Sequence, residues 1–443
     1  RQRPRLCRRR SASGSGWLMA ALAAGWEQAA RRAFDAALLA GNPAAVTRAA
    51  MDRIDGRPTA VIAVGKAAVG MAKAVRDAGC DAPGIIVTTD ENFAEIGGMR
   101  SFASAHPVPD DRGLAAAAAV MELVAALGED DHLLLLISGG GSALLPAPAD
   151  GMTLADKQAL NEALLASGLD IHDMNAVRRL FSTLKGGRLA RWAAPARITQ
   201  FLLSDVPGDR FESIASGPAT ADPVPLDEAL ALIRDAGLDR LAFVKARLMR
   251  IEDGAADLPV RPGDPVMRNV TTYLLASNDL CRGASRESMG VALGGLQETQ
   301  LPPLSGEAAN CARALARQLV AASSSSAVWA VTGGETTVRL GDNPGAGGRA
   351  QEMGVAFAAE MRRLAPGRDW AALIGGTDGR DGPTEAAGAV ITSAHRLDPA
   401  GAEAALAGHD CHPFLKAAGA LLTVPPTGTN LGDIAVFIVG GEG

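Results

Sequence analysis

Two apolar runs are each followed by glycine together with charged or hydroxyl-bearing residues. Lys66 comes after Ala60–Val64 and Gly65, and the run His132–Ile137 leads into Ser138, Gly139, Gly140, Gly141 and Ser142. Bare glycine N–H groups and serine hydroxyls can cradle a phosphate, and a bound anion would offset the cost of a lysine at a helix start. The pattern predicts an anion site. A solvated lysine and a purely structural turn are the alternatives.

A second cationic group lies in the stretch Met174–Trp192, which has helical spacing. Arg178, Ser182 and Lys185 would fall on one face of that helix, since they are spaced i, i+4 and i+7. The face carries no acid, unlike an ordinary salt-bridged surface. We expect Asn175 and Arg178 to bind substrate and Lys185 to bind a phosphate, with a solvated charged face as the alternative.

An aspartate, Asp205, follows the apolar run Ile198–Leu203. Ligands of open α/β sheets bind beyond the carboxyl ends of the strands. A carboxylate at such a position is placed either to take a proton from a substrate hydroxyl or to hold Mg²⁺.

The second half of the chain repeats these features in three glycine-rich loops, which we expect at one sheet edge. We predict nucleotide or phosphate contacts for Gly333, Gly334 and Glu335, an anion contact for Arg349, and magnesium binding for Asp378 and Asp381. Arg349 repeats the pattern of a cation at a helix start, and two carboxylates in a pliant loop suit Mg²⁺. Either aspartate alone could instead cap a turn.

The elements that must position these loops alternate between short apolar runs and alanine-rich helical stretches. Unbroken apolar strands in that succession predict two α/β domains with mainly parallel, doubly wound sheets and a cleft between them. We place the first domain at 21–260 and the second at 261–443. Residues 1–20, with six arginines in the first ten positions, are expected to be a disordered or non-native tail.

Composition excludes several classes of function. The chain has 443 residues, a net charge of −6 and few aromatic residues (10 Phe, 5 Trp, 1 Tyr), so nucleic acid is a poor candidate partner. No apolar run reaches the roughly 18 residues of a membrane span. The 5 cysteines have no paired spacing, which indicates a reduced compartment. We therefore expect a soluble, cytoplasmic protein.

Several catalytic motifs are missing from the chain. It has no dinucleotide-binding Gly-x-Gly-x-x-Gly, no Walker A motif, no Gly-x-Ser-x-Gly elbow and no His-Glu-x-x-His. His409, Cys411 and His412 lack further ligands for a metal site, and His106 suits a turn better than a catalytic base. Anion-binding loops with one lysine, one arginine and several aspartates fit phosphoryl transfer to a small acid best.

In this order, the loops resemble the glycerate 2-kinase family, whose C-terminal part is known as the MOFRL domain and part of which was once called hydroxypyruvate reductase. The resemblance covers roughly residues 25–440 and rests on these motifs: Val64–Ala67, His106–Asp110, Ser138–Leu144, Asn175–Leu189, Leu203–Val206, Ser216–Pro218, Thr332–Thr337, Gly348–Glu352, Gly375–Gly382 and Thr427–Asp433. It implies ATP-dependent phosphorylation of D-glycerate to 2-phosphoglycerate, with Mg²⁺, in a cleft between two α/β domains. By position, it places Lys66, Asp205 and Arg349 in the catalytic site.

Four departures from the family pattern concern the shape of the last loop and thus substrate preference: Ala105, Cys411-His412, Val424-Pro425 and Gly432. Two other functions are alternatives, an NAD(P)H-dependent hydroxypyruvate reductase and a non-catalytic sugar-acid or nucleotide-binding protein. The sequence leaves open which hydroxyl is phosphorylated and whether the protein forms a homodimer.

Overall fold

The structure, a computed structural model, describes residues 14–206, 208–341 and 343–442, with side chains from residue 24 onward. The strands are β1 Ala60–Val64, β2 Gly84–Thr88, β3 Met99–Ala103, β4 His132–Ile137, β5 Arg197–Ser204, β6 Val270–Ser277, β7 Gln297–Glu298, β8 Val328–Gly334, β9 Trp370–Gly376, β10 Gly388–Thr392, β11 Leu421–Leu422 and β12 Asp433–Val439. The helices are α1 Gly14–Ala40, α2 Pro43–Met51, α3 Ala68–Asp77, α4 Asp111–Ala125, α5 Gly141–Leu144, α6 Leu154–Ala166, α7 Ile171–Leu180, α8 Arg188–Ala193, α9 Leu226–Asp235, α10 Ala242–Glu252, α11 Asn278–Ala292, α12 Ala308–Ala322, α13 Arg349–Leu364, α14 Pro399–Ala407 and α15 Cys411–Ala418.

The chain divides into two compact units. The N-terminal unit is Gly41–Ser277 with Gly428–Leu431, and the C-terminal unit is Asn278–Thr427 and Gly432–Gly443 together with the described part of the first forty residues. The expected boundary after residue 260 was too early, because β6 pairs with β5 of the first sheet. Helix α1 was also assigned to the wrong domain, since it packs on α11 and β9. The predicted tail of residues 1–20 lies mostly outside the described residues.

A six-stranded parallel sheet forms the core of the N-terminal unit, in the order β3-β2-β1-β4-β5-β6. Strands β1 and β4 are buried along their whole length. Burial on both faces explains their unbroken apolar sequences. In this order the chain leaves β1 toward one side of the sheet and β4 toward the other, so the topological switch point lies between these two strands.

The C-terminal unit is built on a second six-stranded sheet, in the order β11-β10-β9-β12-β8-β7. The α/β class with two sheets is confirmed, but the expected parallel pairing is wrong here, because all pairs except β7 with β8 are antiparallel. Helix α13 packs on β9 and β10, whereas α1 and α11 pack on β8, β9 and β12. The unbroken apolar runs therefore indicate that both faces of the strands are buried, but they do not indicate the direction of the strands.

The antiparallel arrangement has a local cause in the connections. Strands β9 and β10 are joined by residues 377–387 without a helix, and a parallel pair needs a longer crossover. Strand β12 then inserts between β9 and β8 in the opposite direction, so Asp433 at its start pairs with Gly334 and Gly376 at their ends. The start of β12 thus joins the sheet edge at which the loops after β8 and β9 begin.

Among the described residues, no helix is long and apolar enough to cross a membrane.

Candidate active site

In the N-terminal unit the loops after β1, β4 and β5 meet at the switch point. The backbone N–H of Lys66 donates to the carbonyl of Gly139 at 3.0 Å. A Cβ atom built on Gly139 would overlap the carboxylate of Asp205. Parallel pairing of three adjacent strands thus brings together Lys66, the loop Ser138–Ser142 and Asp205, residues far apart in the sequence.

The glycine loop Ser138–Ser142 combines structural and accessible groups. Ser138 is buried, and its hydroxyl accepts the N–H of Ala67 at 3.0 Å, so this serine joins two loops and its predicted phosphate contact is replaced by a structural one. Gly140 adopts φ 84°, a conformation that favours glycine. Within the described chain, the N–H groups of Gly139 and Gly140 donate to no backbone carbonyl, which makes them candidate donors for an anion.

Beside this loop lies a cavity of about 250 Å³, which we call the cationic pocket. Its polar lining is His106, Ser142, Lys157, Asn161, Arg178 and Lys185, and its apolar lining includes Pro107, Pro109, Ala143, Leu160 and Leu165. No acidic side chain of the described residues lines it. Because buried cations without acids are costly, the lining favours an anionic ligand.

Two lysines of the cationic pocket are almost completely buried. Lys157 is 8% exposed and Lys185 is 3% exposed. Burial, with the neighbouring Arg178 and Arg188, lowers the pKa of Lys157 to about 8. Burial, with Lys157 and Arg178, also lowers the pKa of Lys185 well below its ordinary value. Both amines would gain from a negative charge in the pocket.

The single predicted helix carrying Arg178, Ser182 and Lys185 is wrong. Helix α7 ends at Leu180 and α8 begins at Arg188, with Gly187 at φ 78° immediately before it. The intervening turn directs the ammonium of Lys185 to the backbone oxygen of Ser142 at 2.7 Å and to its hydroxyl. Arg178 and Lys185 line the same pocket nonetheless, but as a result of a turn and not of helical periodicity.

Arg178 is oriented by neutral groups. Its guanidinium donates to the amide oxygens of Asn175 at 3.2 Å and Asn161 at 2.5 Å. Amide oxygens fix the position of a guanidinium without neutralising it. The positive charge of Arg178 is therefore available to a ligand. Asn175 itself is buried and acts on the pocket through Arg178.

Lys66 and His106 are close to the glycine loop. A Cβ at Gly140 would lie 3.2 Å from His106 and 3.4 Å from the Lys66 side chain. Burial and then the charge of Lys66 lower the pKa of His106, which favours a neutral imidazole. The described residues offer no hydrogen-bond or ion-pair partner to the Lys66 ammonium. Lys66 thus adds a further cation to this site, in which Asp205 is the neighbouring acid.

In the C-terminal unit, Arg349 has acidic partners. Its Nε and Nη2 donate to the two carboxylate oxygens of Asp433 at 2.7 and 3.1 Å, and Nη2 also donates to Glu335 at 2.6 Å. Asp433 is 2% exposed, and burial, partly offset by Arg349, raises its pKa to about 7. The cation at the start of α13 is therefore compensated by two acids, not by the bound anion that its sequence position suggested.

The predicted phosphate-binding glycines of the C-terminal unit have packing roles. Gly333 and Gly334 form the end of β8 beside β12. A Cβ at Gly333 would overlap the Asn278 amide oxygen, and one at Gly334 would overlap the Leu304 carbonyl. These contacts explain the glycines without a ligand. Glu335, beyond them, contacts Arg349.

Asp378 and Asp381, the two expected magnesium ligands, make different contacts in the structure. The Asp381 carboxylate is buried and accepts the backbone N–H groups of Ala350 at 3.1 Å and Gln351 at 2.7 Å, so it caps α13 and is not placed as a metal ligand. Burial raises its pKa, although these hydrogen bonds oppose the shift. Asp378 accepts the N–H of Arg380 at 3.0 Å. Nowhere in the described ranges do three His, Cys, Asp or Glu side chains form a group suited to a metal.

The histidines near the C-terminus have ordinary partners. The Nδ1 of His409 lies 2.9 Å from Glu352, and that of His412 lies 3.1 Å from the amide oxygen of Gln351. Cys411 is buried, and its burial raises its pKa to about 12. These residues anchor the segment around α15 to α13.

Three residues escaped the sequence reasoning. Lys157 and Asn161 lie one turn apart on α6. The sequence feature that could have identified Lys157 is its place on the same face of the helix as the apolar Leu160 and Leu164. Asp433 ends one of the motifs of the family resemblance, but the sequence assigned it no role, because its role depends on the antiparallel insertion of β12 next to β8.

Comparison with known proteins agrees with this arrangement. Residues 29–249 match a domain of unknown function (DUF4147), and residues 328–433 match the MOFRL family. A glycerate 2-kinase of Pyrococcus horikoshii is 34% identical, and the match covers 86% of this chain and 87% of that protein. An Agrobacterium vitis protein named "Putative hydroxypyruvate reductase" is 37% identical over 93% of this chain and 94% of its own.

The crystal structure of a Thermotoga maritima glycerate kinase superposes with a TM-score of 0.80 and 29% identity, covering 95% of this chain and 99% of that one. Sequence and structure are therefore similar over nearly the whole length. The chain belongs to the family of glycerate 2-kinases whose C-terminal part is the MOFRL domain.

Proposed function

We propose that this protein is a glycerate kinase that transfers the γ-phosphoryl group of ATP to the 2-hydroxyl of D-glycerate. The observation that carries the proposal is the cationic pocket, which lies beside the glycine loop at the switch point and is lined by buried cations and by no acid of the described residues. Both substrates are anions, and a site with this charge would select them against the net negative charge of the chain. The named activity of the relatives supports the same reaction.

In the reaction, we assign the role of general base to Asp205. As the 2-hydroxyl oxygen forms its bond to the γ-phosphorus, the bond from that phosphorus to the bridging oxygen of ATP breaks and ADP leaves. The hydroxyl proton passes to the Asp205 carboxylate, which the loop after β5 holds against Gly139. Such proton transfer contributes about 10² to 10⁴ in rate.

The charge that moves to the phosphoryl oxygens requires cations and N–H donors. We assign this role to Lys66, Lys185 and the backbone of Gly139 and Gly140. The Ser142 hydroxyl, which contacts Lys185, is assigned to the same phosphate. Gly141 begins α5 and supports the loop, since a Cβ there would lie 2.9 Å from that of Ala215.

A role in the same reaction is also proposed for Arg349 of the C-terminal unit. Asp433 holds its guanidinium through two hydrogen bonds, which leaves little freedom to the side chain. We infer that Asp433 is a positioning residue for Arg349, and that Glu335 contributes through the same contact and not by binding phosphate itself.

Magnesium is the cofactor that ATP chemistry implies. The described residues supply no cluster of carboxylates for it, and Asp381 is committed to capping α13. Mg²⁺ commonly uses one or two carboxylates plus substrate phosphates and water, so Asp378 is the remaining candidate of the predicted pair. When bound, the ion would neutralise phosphate charge.

The proposal is tested by incubating the pure protein with ATP, Mg²⁺ and D-glycerate and following the products by phosphorus NMR. We expect ADP and 2-phosphoglycerate in equal amounts. A 3-phosphoglycerate resonance would correct the position of transfer, and no product with D-glycerate would overturn the proposal.

A reductase is the second candidate, because the Agrobacterium vitis relative carries that name. The chain has no dinucleotide fingerprint, and the described residues around the cationic pocket include neither a tyrosine nor a charged histidine to supply a proton. Oxidation of NADH or NADPH in the presence of hydroxypyruvate would support this candidate, and we expect none.

Three further expectations belong to this proposal. We propose a cytoplasmic location, supported by free cysteines at positions 80, 281, 311 and 411. We propose that nucleic acid is no partner, which the net charge of −6 supports. Formation of a homodimer stays a prediction that size-exclusion chromatography with light scattering would test.

A further inference from the structure

We propose that Lys157 and Asn161 of α6, with Arg178 of α7, form the subsite that recognises the carboxylate of the acceptor, and that Lys157 sets the preference for an acid over an uncharged polyol. This inference rests on the proposed function and adds the residue that would determine the substrate class.

The subsite is formed by the packing of two neighbouring helices. Lys157 and Asn161 stand at i and i+4 on α6, so both side chains face the cationic pocket from one stripe of the helix. Arg178 reaches the pocket from α7, and its contact with Asn161 links the two helices at 2.5 Å. Three polar groups from two neighbouring helices therefore line the same cavity.

Lys157 has little stabilisation from the protein itself. Its ammonium makes one long hydrogen bond, 3.4 Å to the carbonyl of Phe181, although the side chain is almost completely buried. The charged groups that act on it are cations, Arg178, Lys185 and Arg188. A buried amine in this setting either loses its proton or binds an anion. A ligand carboxylate would satisfy the Lys157 amine.

Lys185 and Arg178 have different hydrogen-bond partners, and this difference assigns the ligand groups. Lys185 is tied to Ser142 and so belongs to the end of the glycine loop, where a phosphate fits. Arg178 keeps its full charge because its two partners are amides, and its planar fork matches a carboxylate. Leu160 and Leu165 line the pocket beside these groups and favour a short carbon chain.

The test compares Lys157→Met with Lys245→Met, which removes an exposed lysine of α10 in the same unit. Steady-state kinetics are measured with D-glycerate and with glycerol, the uncharged polyol. For Lys157→Met we expect kcat/KM for D-glycerate to fall by about tenfold to a hundredfold, the loss of one hydrogen bond to a charged group. The value for glycerol and the KM for ATP should stay nearly unchanged. Lys245→Met should match wild type throughout.

Two results would overturn the subsite. Equal losses with D-glycerate and glycerol would show that Lys157 acts on the fold, and a raised KM for ATP alone would show that this end of the pocket holds phosphate. Thermal melting separates folding from recognition, because Met replaces a costly buried amine and should melt no lower than wild type. Lys157→Arg, which keeps the charge, should retain part of the preference for the acid.

Calorimetry with D-glycerate in the absence of ATP separates this inference from the proposed function. Binding by wild type that weakens in Lys157→Met, without any phosphorylated product, would sustain the subsite and reject the kinase. Product formation with equal affinity in both proteins would reject the subsite alone, and a wild type that neither binds nor phosphorylates D-glycerate would reject both. Because the pKa of Lys157 is about 8, wild-type affinity should weaken as the pH rises above that value, and this dependence should be smaller in Lys157→Met, in which Lys185 is the remaining buried lysine of the pocket.

Discussion

Asp433 receives two hydrogen bonds from the guanidinium of Arg349, 84 residues earlier in the chain. The first residue of β12 thereby holds the first residue of α13. Antiparallel insertion of β12 creates this contact, and it accounts for an arginine at a helix start, where the helix dipole disfavours a cation.

The raised pKa of the Asp433 carboxyl predicts that the stability of the protein depends on pH. Burial raises its pKa to about 7, above its ordinary 3.8, so between these values the folded protein binds more protons than the unfolded chain. Its contribution to the free energy of unfolding therefore decreases as the pH rises from about 4 to about 7. Urea unfolding across this range should show the decrease in wild type and a smaller one in Asp433→Asn. Parallel pH profiles would mean that Asp433 is ionised throughout.

Lys66 and Arg349 should respond differently to the loss of their charge. If both act in phosphoryl transfer, Lys66→Met and Arg349→Met each lose about 2 to 4 kcal/mol of transition-state stabilisation, measured as kcat/KM. Only Arg349→Met should also lose roughly 3 kcal/mol of stability, since it leaves Asp433 buried without its partner. Lys66→Met should melt no lower than wild type. A Lys66 variant that is active but melts several degrees lower would indicate a structural lysine.

The contact between Gly139 and Asp205 can be tested with one methyl group. A Cβ at Gly139 would displace the Asp205 carboxylate, so Gly139→Ala should lower kcat by about tenfold or more while the melting temperature changes little. Gly97→Ala is the matched control, because nothing lies within 4 Å of its Cβ position. Unchanged kcat in Gly139→Ala would separate Asp205 from the chemical step.

Asp205 and Asp378 have distinct assigned roles that metal titration distinguishes. Asp205→Asn should lower kcat at least about a hundredfold at saturating Mg²⁺, with the KM for ATP nearly kept, as expected for a lost base. Asp378→Asn should raise the Mg²⁺ concentration needed for half-maximal rate and recover with excess metal. Rescue of Asp205→Asn by excess magnesium would instead make Asp205 a metal ligand.

Asp381 should affect stability and not the metal requirement. Its carboxylate caps α13 through two backbone hydrogen bonds, and loss of such a cap costs about 0.5 to 2 kcal/mol. Asp381→Ala should therefore unfold at lower denaturant concentration with an unaltered dependence of rate on Mg²⁺. A change in the Mg²⁺ concentration needed for half-maximal rate would indicate instead that Asp381 binds the metal.

Local sequence determined the strands and the loops that follow them. The runs at 60–64, 84–88 and 132–137 coincide with β1, β2 and β4, and the residues after β1 and β4 meet at the switch point. These features were predictable because burial on both faces requires an unbroken apolar run, and because parallel strands bring their carboxyl ends to one edge. Lys66, Gly139 and Asp205 could thus be grouped from the sequence.

Tertiary structure decided the partners of the charged groups and the direction of the second sheet. The local sequence around an arginine at a helix start is the same whether an anion or Asp433 compensates its charge. In the same way, the local sequence around Asp381 does not distinguish a metal ligand from a helix cap. Apolar runs report burial but not whether the neighbouring strand is parallel. Lys157 lines the cationic pocket because α6 packs on α7. Charge pairs and the walls of a cavity depend on such contacts between residues distant in the sequence, so the local sequence alone could not place Lys157 in the pocket.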